Sequence, residues 1–122
     1  DFQLLPMQDG RPLHQVVMER CATWGSPQEL MFVVGATRPE MLQQARRSAP
    51  RHFFLVPGVG AQGGDLQAVL KAGMTTDGGL LINSSRGILY AGKGEDAIPA
   101  ARRAAKAMKA EMATALSVLR VD

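Results

Sequence analysis

The chain reads as an α/β protein built from a leading loop and helix followed by three strand–helix units. Two observations predict this. Short apolar runs at Met31–Val34, His52–Val56 and Leu80–Ile82 alternate with segments whose apolar residues recur every three or four positions. The second run also breaks into glycine and then meets Asp65, a good helix N-cap, as a strand does when it leaves a parallel sheet for a helix. Such alternation requires a parallel sheet with right-handed crossovers.

Residues 1–11 read as a loop, interrupted by Pro6 and Gly10. A helix is expected from about Pro12 to Trp24. Pro12 suits its first turn, Leu13, Val16, Val17, Cys21 and Trp24 share one face, and Gly25 is the natural stop. His14 has no acid or cysteine to work with and reads as a packing or exposed residue. After the first strand, Thr37 with Glu40 three residues on makes a capping box. In the helix it opens, Met41, Leu42 and Ala45 face inward, Arg46 and Arg47 face water, and Pro50 ends the element. The second strand, apolar throughout, implies cover on both faces. Asp65 then opens a short helix with Leu66, Val69 and Leu70 inward and Gly73 at its close.

Thr75–Gly79 form a polar turn, and the third strand runs into Asn83-Ser84-Ser85-Arg86-Gly87. Tyr90 reads as packing. Asp96 caps the last helix, Pro99 is tolerated in its first turn, and the helix runs to about Leu119. Ile98, Ala101, Ala105, Met108, Met112, Ala115 and Leu119 give one long seam, in which methionine fills core space. Arg102, Arg103, Lys106 and Lys109 read as a solvated face.

With 122 residues, 46% apolar and 20% charged, the chain is one globular unit at most. It contains no apolar stretch long enough for a membrane span and no basic-then-apolar leader. It opens on Asp1-Phe2-Gln3 rather than methionine, which suits a cleaved product or an excised segment. The single cysteine, Cys21, has no disulfide partner and reads as a buried structural thiol of a cytoplasmic protein. A net charge of +3, much of it on the last helix, is too mild and too poor in stacking aromatics for a nucleic-acid footprint. No cofactor or metal pattern is present. Gly58, Gly60 and Gly63 match the spacing of a dinucleotide fingerprint, but a proline precedes them and no acidic ribose ligand follows about 20 residues on.

The chemistry points to Phe53–Asp65, FFLVPGVGAQGGD. Glycine lets backbone approach a ligand and aim N–H groups at it, and phosphate is the usual occupant. A tight turn without a ligand is the competing reading. Asn83–Gly87 forms a second candidate anion site, where Arg86 offers a bidentate fork to phosphate oxygens. An arginine satisfying local carbonyls or a surface acid is the alternative there. Two such loops after adjacent parallel strands converge on one place.

Three strings carry a resemblance. Pro57-Gly58-Val59-Gly60-Ala61-Gln62-Gly63-Gly64-Asp65 resembles the strand-seven loop of the orotidine 5′-phosphate decarboxylases. Asn83-Ser84-Ser85-Arg86-Gly87-Ile88 resembles their strand-eight phosphate motif. Val33-Val34-Gly35-Ala36-Thr37-Arg38-Pro39-Glu40 resembles the strand-six turn of the longer bacterial branch. The resemblance implies that residues 1–122 are the C-terminal part of a (β/α)8 TIM barrel, with strands six to eight and their helices. Phosphate bound after strands seven and eight is a recurring property of such barrels.

The resemblance also implies roles. Gln62 reaches the substrate phosphate and helps close the site, Arg86 pairs with that phosphate, and Ser85 offers it a backbone N–H. Gly63 and Gly64 belong to the same phosphate loop. Pro57 lines the pyrimidine pocket, with Gly58 and Gly60 beside it. The family turns orotidine monophosphate into UMP and carbon dioxide with two lysines and two aspartates in an Asp-x-Lys-x-x-Asp setting, one aspartate crossing a dimer interface. No such stretch occurs here: Lys71, Lys93, Lys106 and Lys109 are not framed by aspartates. The expectation is therefore a phosphate grip without catalytic residues, inactive alone. Its expected partners are the N-terminal half of the barrel and further copies of the protein. Cutting three strands from a barrel should leave raw edges and an apolar face with Val33, Phe53, Leu55 and Leu81 in water. Two other readings stand beside this one: a non-catalytic phosphate- or nucleotide-binding half-barrel, and a sister barrel activity on a sugar phosphate.

Overall fold

Each apolar run pairs with the next in sequence, giving a parallel three-stranded sheet in the order β1 (Phe32–Val33), β2 (Phe54–Pro57), β3 (Leu80–Asn83). The structure, a computed structural model, describes residues 2–60 and 62–121. Asp1, Asp122 and Ala61 of the glycine-rich string lie outside the described residues. The helices are α1 (Leu13–Cys21), α2 (Pro39–Ser48), α3 (Leu66–Gly73), α4 (Ser85–Leu89) and α5 (Ala97–Leu119). Short 3-10 turns occupy Phe2–Leu4 and Gly94–Asp96.

The register sets Phe32 beside Phe54 and Phe54 beside Leu80, so these three point to one face. Val33, Leu55 and Leu81 point to the other, because side chains alternate along a strand. The first face is the core. Phe54 and Val56 are fully buried against Leu42 and Ala45 of α2 and Val69 of α3. Full burial of side chains of this size stabilises by roughly 1.5–3 kcal/mol each. The second face is open: Val33 is 69% and Leu81 45% exposed, with Phe53 and Leu55 half-buried. The uncovered apolar face expected of an incomplete barrel is present. Cover on both faces of β2, read from its apolar run, is not supplied within these residues.

Several local expectations change. Thr37 does not cap α2. Pro39 holds the first helical position and keeps Arg38 out of the helical region (φ −131°, ψ 84°), so the helix begins after Arg38, with no side-chain cap. α1 stops at Cys21, four residues before Gly25, and its buried residue is Met18. Val17 and Trp24 are exposed, and Cys21 is only half-buried. Val17 borders an open cleft of about 510 Å³ beside β1. The seam of α5 holds in part: Ala101, Met108, Met112 and Ala115 are half-buried, with Met108 packed on the core, whereas Ile98 is 83% exposed, Ala105 and Leu119 are also exposed, and the buried residue is Ala100. Asp96 precedes α5 but its carboxylate pairs with Arg103 instead of capping. Tyr90 does not pack and is exposed.

Arg46 is the largest departure. The helical pattern places it in water, yet it is half-buried beneath the sheet, with its guanidinium 3.9 Å from the Phe54 ring centre. It donates to the carbonyls of Gly73 (2.9 Å), Ala49 (3.1 Å), His52 (2.6 Å) and Gly79 (2.9 Å). Burial lowers its pKa to about 10, so it remains a cation at neutral pH. Among the described residues, no helix is long and apolar enough to cross a membrane.

Candidate functional site

The site forms where β2 and β3 end. Pro57 and Asn83 lie side by side at the last rung of the ladder, and both chains then turn outward. Gly58, Gly60 and Gly63 take φ of 95°, 79° and 88°, a region where a Cβ is costly. This lets the loop close on itself. The Gly64 N–H donates to the Gly58 carbonyl (3.1 Å), and the Gly60 N–H donates to the Gly64 carbonyl (2.8 Å). Gly64 is needed for another reason. It is buried, and a Cβ there would lie 2.6 Å from the Ala36 Cβ and 2.7 Å from the Gly58 oxygen. Ala36 is in turn tied to β2, its N–H donating to the Pro57 carbonyl (3.0 Å). Asp65 accepts from the Ala68 N–H at 2.7 Å and starts α3, as expected of an N-cap.

The second loop follows β3 directly. Ser84 is buried and its hydroxyl donates to the Val59 carbonyl of the first loop at 2.9 Å. Ser85 is exposed and its hydroxyl donates to Asn83 Oδ1 at 2.9 Å. Arg86 is exposed and has no side-chain hydrogen bond or ion pair among the described residues.

Both loops line one cavity of about 140 Å³, bounded by Pro57, Gly58, Val59, Gln62, Asn83, Ser84, Ser85 and Arg86. Sites for whole drug-sized ligands run to roughly 300–1,000 Å³. This one fits one end of a nucleotide, and no acid lines it to repel an anion. Of the expected site residues, Pro57, Gly58, Gln62, Ser85 and Arg86 meet here. Gly60, Gly63 and Gly64 do not line the cavity; they shape the loop that does. Asn83 and Ser84, both in the second string but given no separate role by the sequence, also border it. None of Lys71, Lys93, Lys106 and Lys109 lines it. His14 lies elsewhere, its Nδ1 2.8 Å from the Gln3 carbonyl oxygen. No group of three or more potential metal-ligating side chains occurs among the described residues.

No family model matches the chain. It is 44% identical over 119 residues to the orotidine 5′-phosphate decarboxylase of Bacteroides fragilis, an alignment covering 98% of this chain and 43% of that protein. It is 47% identical over 119 residues to that of Christiangramia forsetii, with the same coverage of 98% and 43%. Against the decarboxylase of Ralstonia pickettii it is 49% identical over 111 residues, covering 89% of this chain and 41% of the other. Among solved structures, Leishmania donovani UMP synthase superposes with a TM-score of 0.75 at 41% identity, over 92% of this chain and 25% of that one. Leishmania donovani OMP decarboxylase gives 0.72 at 37% identity, over 92% and 43%. The chain spans about two fifths of the length of the curated relatives it matches.

Proposed function

We propose that this chain, related along nearly all of its length to part of the orotidine 5′-phosphate decarboxylases, is the phosphate-gripping portion of such an enzyme. The whole protein would be a carboxy-lyase of pyrimidine biosynthesis, converting orotidine monophosphate to UMP and carbon dioxide without a cofactor. Residues 1–122 would supply strands six to eight of its barrel. The observation that carries this reading is the small cavity lined by both loops, with Gln62 on one side and Arg86 on the other.

Arg86 would bind two phosphate oxygens with its planar fork, which no other side chain or carbonyl among the described residues occupies. Gln62 would donate its amide N–H to a third oxygen and close the loop over it. The Ser85 backbone N–H would complete the grip, and Pro57 would wall the pyrimidine side. This grip lies away from the carbon that loses carbon dioxide. Its contribution is binding energy that the rest of the enzyme spends on the transition state. The lysines and aspartates that handle the proton would come from the remainder of the barrel and a partner subunit. That remainder would cover Val33, Leu55 and Leu81 and pair with the edges at β1 and β3. A soluble cytoplasmic oligomer is the expected form.

The test is substrate turnover and UMP binding by the full-length protein with and without Arg86→Ala. The variant should lose about 10- to 100-fold in kcat/KM and in UMP affinity, the equivalent of a charge-assisted hydrogen bond or two. Residues 1–122 alone should show no turnover. Turnover by that piece, or an Arg86→Ala enzyme that binds UMP normally, would sink the reading.

A further inference from the structure

Ser84 is buried, at 6% exposure, between two exposed neighbours, Asn83 and Ser85. It occupies the N-cap position of α4, where a serine oxygen ordinarily accepts a backbone N–H, yet it makes no such bond. Its hydroxyl proton goes instead to the Val59 carbonyl, 2.9 Å away and 25 residues back in sequence. Among the described residues this is the hydrogen bond that joins the arginine loop to the glycine-rich loop.

Space around that hydroxyl is reserved. A Cβ on Gly87 would lie 2.6 Å from Ser84 Oγ, and one on Gly60 would lie 3.4 Å from it. Val59 is itself buried and stands between Gly58 and Gly60, both at positive φ. A segment so rich in glycine has little preference for one shape, so its placement depends on outside anchors. Gly64, packed on Ala36, anchors it toward β1. Ser84 anchors it toward β3, the side that carries Arg86.

We infer that Ser84 is a positioning residue for the phosphate grip: its bond to Val59 sets the separation of Gln62 and Arg86 across the cavity. The inference rests on the phosphate-site reading above. Ser84 borders the cavity, but its one proton is committed to Val59, and a phosphate dianion has no proton to give its oxygen. It therefore acts through the two loops and not by touching the ligand. Small misplacement of such groups is expensive in binding and in rate.

The experiment uses the full-length enzyme and measures dissociation constants for UMP and, by competition, for uridine, which lacks the phosphate. Ser84→Ala should weaken UMP about five- to twentyfold, the scale of one lost buried hydrogen bond, and leave uridine within about twofold. Ser84→Cys, of similar size but a poorer donor, should fall between wild type and alanine. Arg86→Ala is measured alongside. If Arg86→Ala weakens UMP and Ser84→Ala does not, the positioning role is overturned while the phosphate site stands. If neither matters, the site reading itself has failed. Equal losses for UMP and uridine would mark a merely structural residue and overturn the inference. So would failure of both serine variants to fold.

Discussion

The two ends of one small sheet each carry an arginine, and the two are used in opposite ways. Arg46, under the starts of β2 and β3, spends its donors on the carbonyls of Ala49, His52, Gly73 and Gly79 and lies over Phe54. Arg86, beyond the end of β3, is exposed, with no side-chain partner among the described residues, and borders a cavity. A guanidinium always presents the same fork. What separates the two is whether protein carbonyls have already filled that fork. At the closed end, the backbone groups left over where helices finish and strands begin are gathered onto one cation. At the open end, glycines and small hydroxyls leave the cation unsatisfied.

Exchanging the effects of the two arginines would break this comparison. Arg46→Met should unfold more easily by about 2–4 kcal/mol in urea titration of the full-length protein, because it strips charge-assisted partners from several part-buried carbonyls. Correctly folded Arg46→Met protein should bind UMP as wild type does. Arg86→Ala should show the reverse, with stability within about 0.5 kcal/mol of wild type and ligand affinity lost. Lost UMP affinity in Arg46→Met at full folding would dissolve the distinction between the two ends.

Gly64→Ala probes the open end from its anchored side. The added methyl would press on Ala36 and the Gly58 carbonyl, so a cost of about 1–3 kcal/mol is expected together with weaker UMP binding. A neutral result in both titrations would mean the glycine-rich loop is not held against β1. The smallest effect should come from Asp65→Ala. Loss of its bond to the Ala68 N–H should cost about 1 kcal/mol in the same unfolding assay, with little change in affinity, because Asp65 lies outside the cavity.

Much of the open end could be read in advance because its determinants are local. Gly58, Gly60 and Gly63 are demanded by the turn they make, Asp65 by the helix it opens, from whose Ala68 N–H it accepts, and Arg86 by its place after a strand. Local rules failed where two of them competed or where a partner was distant. Pro39 overrode the Thr37–Glu40 capping box because a fixed proline ring decides where a helix can start. At the start of α5 Ala100 is buried in place of Ile98, because closely spaced apolar residues leave neighbouring seams open until a surface is offered to them.

The amino-acid sequence by itself determined the strand–helix alternation, the parallel pairing it requires, and the loops after β2 and β3 with their turn chemistry, since each depends on residues within a few positions of one another. Only the tertiary structure decided that Arg46 is a clamp and that Ser84 bonds to Val59. Their partners lie up to 33 and 25 residues away in sequence. A charged or hydroxyl side chain takes its role from whichever carbonyls the fold brings within reach.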